Sequence, residues 1–308
     1  MKKTLNGLFD AVVSLGRPAW KTRLWYARAH HGLPNLARPN KFTEKIAAMK
    51  LSENHAEKVG WTDKVRVKHL IAQALGEEFV IPTLWHGPRL PALSERTWPI
   101  PFVIKANHGS AMNYFVRKPE DLDWPKIEAL TENWLKQDWP EYLCESWYNQ
   151  IERQLLVEPL IGSSQEDLPD YKVFVFSGQA LLVQVDTNRF KRHTRAYYDA
   201  NWKKLALEVE YPLERDHHPR PKHLTDILSA AERVGNGMDF VRVDFFDLPD
   251  GPRFGEVTFA PDAGFGRFRP KQYDGLFGTL WDDAKAGRLR GVGGAARVAT
   301  LLHDRIVG

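Results

Sequence analysis

Residues 240–259 constrain the fold more than any other segment. They read Phe240-Val241-Arg242-Val243-Asp244-Phe245-Phe246-Asp247, then Leu248-Pro249-Asp250-Gly251-Pro252, then Arg253-Phe254-Gly255-Glu256-Val257-Thr258-Phe259. Two alternating polar and apolar runs around a Pro/Asp/Gly turn predict an antiparallel hairpin. With five residues in the loop, Asp247 pairs with Arg253, Asp244 with Glu256 and Arg242 with Thr258. Side chains alternate along a strand. One face therefore carries Arg242, Asp244, Glu256 and Thr258, and the other carries Val241, Val243, Phe245, Val257 and Phe259. Two carboxylates directly opposite each other repel, so a cation, a proton or solvent must offset them. Hard oxygen ligands on a rigid ladder suit Mg²⁺, which takes one or two carboxylates plus substrate phosphates. The same pattern also describes a solvated hairpin face on which Arg242 screens the acids, and a one-residue slip would separate the pair. The residues alone leave both readings open. If repulsion dominates, Asp244→Asn should hold or raise stability.

The rest of the chain is read around this hairpin. Residues 1–95 read mostly helical. Thr43 is a candidate cap for a helix to Leu51, a second helix runs from Thr62 to Gly76, and Phe79-Val80-Ile81-Pro82 reads as a short strand. Pro101–Lys105 is a strand running into a polar loop, Ala106-Asn107-His108-Gly109-Ser110-Ala111-Met112-Asn113. A lysine ending an apolar strand before a Gly/Ser/Asn loop suits phosphate binding, because glycine lets backbone N–H groups approach an anion. It equally suits a surface lysine before an ordinary turn. A helical pattern covers 124–150, Leu155–Glu158 is a strand, and Tyr171–Phe176 and Ala180–Val185 pair across Ser177-Gly178-Gln179. A helix over 222–235 precedes the hairpin, and the C-terminal stretch is helical with glycine breaks. Strands in a run with hairpins, flanked by helices, predict an α+β fold with a largely antiparallel sheet.

Composition and missing motifs exclude other classes. The 43 Lys+Arg against 39 Asp+Glu give a net charge of +4, too slight and dispersed to argue for nucleic acid. No run approaches the ~18 apolar residues of a membrane span. The single cysteine, Cys144, leaves no disulfide framework, points to a reducing cytoplasmic compartment and reads as packed rather than nucleophilic. A basic, apolar start broken by Asp10 predicts an amphipathic helix ending near Gly16, with a peripheral contact at the inner membrane face as its functional reading. There is no G-x-x-x-x-G-K-[ST] loop and no G-x-S-x-G elbow. Gly291-Val292-Gly293-Gly294-Ala295-Ala296 is assigned to a loop, and His217-His218 lacks a third ligand at metal spacing.

The order of these pieces resembles the ATP-grasp superfamily, and within it the TupA-like branch named for teichuronopeptide biosynthesis. The strings that carry the resemblance are Pro39–Lys45, Thr62–Arg66, Phe102–Ser110, Asp170–Phe174, Phe240–Asp244 and Phe254–Thr258, spread over about 39–275. The resemblance implies two α+β lobes with largely antiparallel sheets behind a helical N-terminal region: 1–95, a small lobe at 96–158 and a large lobe at 159–308. It implies that Lys105 contacts ATP phosphates and that Asn107, His108, Gly109, Ser110 and Asn113 belong to a loop folding over them as a lid. Val157 and Glu158 would form the hinge beside adenine or ribose. Lys172 would sit among the phosphates, Asp244 and Glu256 would hold Mg²⁺, and Arg242 would face the transferred phosphoryl. Thr258 stands where the broader superfamily usually has asparagine, which leaves the number of metal ions open.

The implied chemistry is carboxylate activation by ATP followed by amine attack on an acyl phosphate. The implied substrates are a carboxylate-bearing glycan or nucleotide-sugar and an amino acid. Three alternatives remain at this point: a kinase of a sugar or glycan hydroxyl, a metal-dependent glycosyltransferase that consumes no ATP, and a non-catalytic module whose Trp residues stack on sugars.

Overall fold

The computed structural model describes residues 13, 16–52, 55–162, 168–188 and 193–304. Apart from Val13 and Gly16, the expected N-terminal amphipathic helix lies outside the described residues. No described helix is long and apolar enough to cross a membrane.

The N-terminal part contains helices α1 (Pro18–His30), α2 (Phe42–Lys50), α3 (Ala56–Thr62) and α4 (Arg66–Leu75). Thr43 is not the cap of α2. It lies in the helix's first turn, where its N–H and hydroxyl both donate to Asp274, at 2.9 and 2.7 Å. The helix expected from Thr62 begins instead at Arg66, because the Asp63 carboxylate accepts the Val65 N–H at 2.9 Å and breaks the chain between α3 and α4. Phe79–Pro82 is not a strand; Glu77–Phe79 form a 3₁₀ turn.

A four-stranded sheet follows, built from β1 (Trp85–Gly87), β2 (Phe102–Ala106), β3 (Asn113–Val116) and β4 (Leu155–Pro159), in the order β1-β4-β2-β3. Phe102, Ile104, Leu155 and Val157 bury one face of it against Ile127 and Trp134 of α5 (Trp124–Lys136). The helical pattern to residue 150 stops at Lys136. Pro140 disfavours helix at Trp139 before it, and two 3₁₀ turns, Glu141–Leu143 and Tyr148–Gln150, take the chain to β4.

The larger sheet has six strands: β5 (Asp170–Phe176), β6 (Gln179–Thr187), β7 (Thr194–Asp199), β8 (Lys204–Leu205), β10 (Phe240–Leu248) and β11 (Gly251–Thr258), in the order β11-β10-β5-β6-β7-β8. A separate pair joins β9 (Glu208–Val209) to β12 (Phe268–Arg269). All pairings between these strands are antiparallel. Ser177 and Gly178 both have positive φ, 47° and 78°, as a tight hairpin between right-twisted strands requires.

Helix α6 (Leu224–Val234) packs on β5, β6 and β10, and α7 (Gln272–Lys285) packs on α2 and β5. The Gly291–Ala296 string is helical, not a loop. It opens α8 (Gly291–Ala299), and a Cβ at Gly294 would lie 2.1 Å from the Leu289 backbone. Phe42 of α2 lies 5.1–6.2 Å from the rings of Phe174, Phe176, Phe240, Phe268, Phe277 and Trp281. Burying such a ring contributes ~2–3 kcal/mol, so the helical N-terminal part shares a core with the large sheet.

Candidate active site

A cleft of about 310 Å³ opens between the two sheets, and α4 and the turn before it contribute to its lining. On the small-sheet side, alternation sends Phe102, Ile104 and Ala106 into the core and turns Val103 and Lys105 toward the cleft. Glu158 is the register partner of Val103 and shares its face, whereas Val157 pairs with Ile104 and is buried in the core behind.

The Glu158 carboxylate is gripped from both sides. Lys105 Nζ lies 2.5 Å from Oε2 and Lys68 Nζ lies 2.5 Å from Oε1. Burial works to raise the Glu158 carboxyl, but the two ammonium groups outweigh it and hold it below the usual range. Burial lowers both Lys68 and Lys64. Lys68 also donates to the Ile81 carbonyl at 2.7 Å, and Lys64 donates to the Gly109 carbonyl.

The loop after β2 divides into two parts. Ser110 and Asn113 are exposed and line the cleft. Asn107 and His108 are buried and do not. The Asn107 amide donates to Asp63 and to the Glu152 carbonyl, both at 2.9 Å, and its Oδ1 accepts the Gln154 N–H at 2.8 Å. His108 Nε2 lies 3.1 Å from the Trp134 carbonyl, and burial lowers its pKa. Gly109 meets the site through its carbonyl to Lys64 and does not itself line the cleft.

On the large-sheet side the register places Asp244 opposite Glu256 and Arg242 opposite Thr258. The loop is shorter than the sequence indicates, however. Asp247 pairs with Pro252 rather than Arg253, and an extra residue at Gly255 restores the register. A Cβ there would lie 3.2 Å from the Asp244 carbonyl oxygen.

The carboxylate repulsion is offset by protein cations. Arg242 Nε lies 2.7 Å from Asp244 Oδ1, and one terminal nitrogen reaches Asp244 Oδ2 at 2.8 Å, Thr258 Oγ1 at 3.0 Å and Glu256 Oε1 at 3.2 Å. Lys172, the register partner of Asp244, donates to Asp244 and to Asp170 Oδ2, the latter at 2.5 Å. Burial pushes the Asp244 carboxyl up to about 6 against the pull of Arg242 and Lys172. Burial also works to lower Arg242 and Lys172, but their carboxylate partners dominate and hold both above ordinary values.

Asp244 and Glu256 line the cleft; Lys172, Arg242 and Thr258 stand behind them. Residues that the sequence reading missed also line it: Lys64 and Lys68, one helical turn apart in spacing, and Asp170, two positions before Lys172 on the same strand face. Those two periodicities were the available signals. Among the described residues, no group of three or more His, Cys, Asp or Glu side chains forms a complete metal cage. Two facing carboxylates at a cleft wall instead fit a hard cation such as Mg²⁺ that completes its shell with phosphate and water.

A family model described as TupA-like ATPgrasp matches residues 44–281. No curated protein matches the chain in sequence. Among solved structures, the chain is similar to the ATP-grasp ligase PsnB complexed with a phosphomimetic variant of its minimal precursor, Mg and ADP (14% identity, TM-score 0.39, 67% of this chain and 52% of that one). It is also similar to D-alanine–D-alanine ligase from Bacillus anthracis complexed with ATP (14% identity, TM-score 0.36, 65% and 54%). A third is N5-carboxyaminoimidazole ribonucleotide synthetase from Thermus thermophilus (13% identity, TM-score 0.41, 71% and 52%). The chain spans about half the length of each. With the family match covering well over half of its residues, the chain belongs to the TupA-like ATP-grasp family.

Proposed function

We propose that this protein is an ATP-dependent carboxylate–amine ligase of cell-surface polysaccharide synthesis, working in the cytoplasm and joining an amino acid to a uronic acid of a glycan or nucleotide-sugar. The observation that carries this reading is the opposition of two charged walls across one cleft, Lys105, Lys68 and Glu158 against Asp244 and Glu256, with Arg242 behind. ATP lies between the lobes. Glu158 flanks the adenosine, with Val157 in the core behind it, Lys105 and Lys68 meet the phosphates, and Ser110 and Asn113 cover them. Asp244 and Glu256 would hold Mg²⁺ at the cleft wall, with Thr258 behind them hydrogen-bonded to Arg242, and the ion would supply charge neutralisation at the phosphates.

In the first step, a carboxylate oxygen of the acid substrate forms a bond to the γ-phosphorus as the bond to ADP breaks. In the second, the amine nitrogen attacks the acyl carbon, loses a proton, and inorganic phosphate leaves. No protein nucleophile is needed, and the work is positioning and charge neutralisation. Arg242, whose fork is closed on Asp244 here, would meet the transferred phosphoryl only by turning from Asp244 toward the cleft, with Lys172 holding Asp244 in place behind it.

The test is ADP release over a panel of uronic acids and amino acids, with product mass. Amine-dependent ADP release and a product lighter by one water than acid plus amine support the ligase. A product carrying phosphate without amine rejects it in favour of the kinase. Arg242→Lys should lower kcat and kcat/KM together with little change in ATP affinity; near-normal turnover would remove Arg242 from the chemistry.

A further inference from the structure

A second groove, of about 460 Å³, lies outside the ATP cleft. Its lining includes Trp25, Tyr142 and Phe265, together with Arg28, Arg267 and Arg269. Tyr142 stacks on Trp25, with ring centroids 4.6 Å apart and planes 27° apart, yet stays 40% exposed. Phe265 extends the aromatic floor at 6.4 Å from Trp25. Arg28, Arg267 and Arg269 are exposed. The one acid in the lining, Glu210, already accepts the Arg267 backbone N–H at 3.0 Å. Arg269 is paired with Glu208 at 2.7 Å and Arg28 lies over the Trp25 ring at 5.3 Å, so the groove joins an aromatic platform to the guanidinium groups of Arg28 and Arg267. An aromatic platform takes the face of a sugar ring, and guanidinium forks take carboxylate or phosphate.

The groove is also physically joined to the strand that carries Glu256. β11 leads into the Pro261–Gly264 turn, in which Asp262, Ala263 and Gly264 all have positive φ, 48°, 53° and 74°. Asp262 lies 3.4 Å from the buried Arg195. Lys50, itself buried, donates to the Ala263 carbonyl at 2.6 Å and to the Leu143 carbonyl at 2.7 Å, and its ammonium sits 4.4 Å from the centre of the Phe265 ring. Two walls of the groove, at Tyr142–Leu143 and at Phe265, are therefore pinned to each other by one side chain. Left-handed backbone at two consecutive non-glycine residues costs of order 1–3 kcal/mol each and persists where surrounding contacts hold it, often at a ligand site.

We propose that this groove is a subsite for an acidic sugar unit, its ring on Tyr142 and Trp25 and its anionic group on Arg28 and Arg267. The proposal rests on the ligase reading and gives its acidic substrate a binding place outside the ATP cleft. It concerns binding in the absence of ATP, so it can fail or stand apart from that reading.

The test is calorimetric titration of the full chain without nucleotide. The probes are a galacturonate trisaccharide, glucose 6-phosphate, a neutral trisaccharide of glucose, and poly-glutamate. Binding of the galacturonate probe at least tenfold tighter than the neutral sugar and the polypeptide is expected. Equal or tighter binding of glucose 6-phosphate than of galacturonate would support the subsite and assign its anion as phosphate; tighter galacturonate binding assigns it as carboxylate. Tyr142→Ala should weaken the preferred sugar about tenfold. Arg28→Gln with Arg267→Gln should remove most of the remaining preference over the neutral sugar. Both variants alter exposed side chains, and circular dichroism checks that they fold. ATP binding should be unchanged in both. Equal binding of poly-glutamate would show charge attraction alone and overturn the proposal. So would no detectable binding of either acidic sugar, or unchanged affinity in folded variants.

Discussion

The Lys172 ammonium lies between the carboxylates of Asp170 and Asp244, all three buried. Removing one partner of a buried ion pair leaves uncompensated charge and costs ~3–5 kcal/mol, so Lys172→Met should lower the urea midpoint by that equivalent with or without nucleotide. The same contacts reverse the sequence expectation for Asp244→Asn. Repulsion from Glu256 is already met by Arg242, and the neutral amide would leave Arg242 and Lys172 crowded without their shared anion. The expected result is a loss of ~3 kcal/mol in denaturant unfolding; a gain would restore repulsion as the dominant effect. On the opposite wall the charges are more accessible. Lys105→Ala and Lys68→Ala should each weaken ATP about tenfold in equilibrium binding, ~1.4 kcal/mol. Unchanged affinity in Lys68→Ala would make that lysine a structural partner of Glu158 only. Arg242, Asp244 and Lys105 could be singled out from sequence because alternation and a polar loop mark them. Lys68 is marked only by its one-turn spacing from Lys64, because its role depends on where α4 meets Glu158 of β4, a tertiary relation that spacing alone does not reveal.

Elements with a strong period were legible, and the connections between them were not. The facing of Asp244 and Glu256 follows from alternation, yet the chain reaches it through a shorter turn and a bulge at Gly255 that no pattern announces. Helix α5 is shorter than its pattern suggests because the Trp-rich stretch to residue 150 keeps apolar spacing past the point where Pro140 forbids it. β1 escapes a sequence reading because Trp85-His86-Gly87 is too short to alternate. The bulge gives a test at this scale. Gly255→Val places a branched side chain 3.2 Å from the Asp244 carbonyl and 3.3 Å from the Phe246 ring. Overpacking of this kind costs ~1–3 kcal/mol, and any relief by shifting β11 moves Glu256 away from Asp244. Thermal unfolding should register the first effect. A fall in Mg²⁺-dependent nucleotide affinity larger than that of a destabilised variant distant from the site should register the second.

Across the whole molecule, Lys50 of α2 ties the Leu143 carbonyl to the Ala263 carbonyl, joining three stretches distant in sequence, and it influences the buried Glu145 through charge. Burial pushes Glu145 up to about 7 and Lys50 down to about 8, each partly offset by the other. A raised carboxyl binds more protons in the folded state. Its stabilisation is present below the unfolded value of about 4.5 and is lost as pH rises through about 7. The depressed lysine acts oppositely, with stability recovering as pH rises from about 8 toward 10.5. Urea midpoints from pH 5 to 10 should therefore pass through a minimum near pH 7–8, and Glu145→Gln should flatten the falling limb, worth on the order of 3 kcal/mol at most. A midpoint rising steadily from about pH 5 to about pH 8 would oppose this assignment. The tethering of the loop after β2 has a different kind of consequence. Asn107 is tied to Asp63, Glu152 and Gln154, and the Gly109 carbonyl is tied to Lys64. A strap fastened at one end to a neighbouring helix cannot sweep freely over a nucleotide; only the short Ser110–Asn113 tip has room to bend. In the ligase reading proposed above, keeping water from an acyl phosphate would fall to the jaws rather than the strap. Because Phe42 of α2 and Val67 and Ile71 of α4 lie in the large-sheet core, the ties at Asp63 and Lys64 would make the α3–α4 turn the fulcrum for any swing of the small sheet, so the helical N-terminal part would be the pivot of the vice.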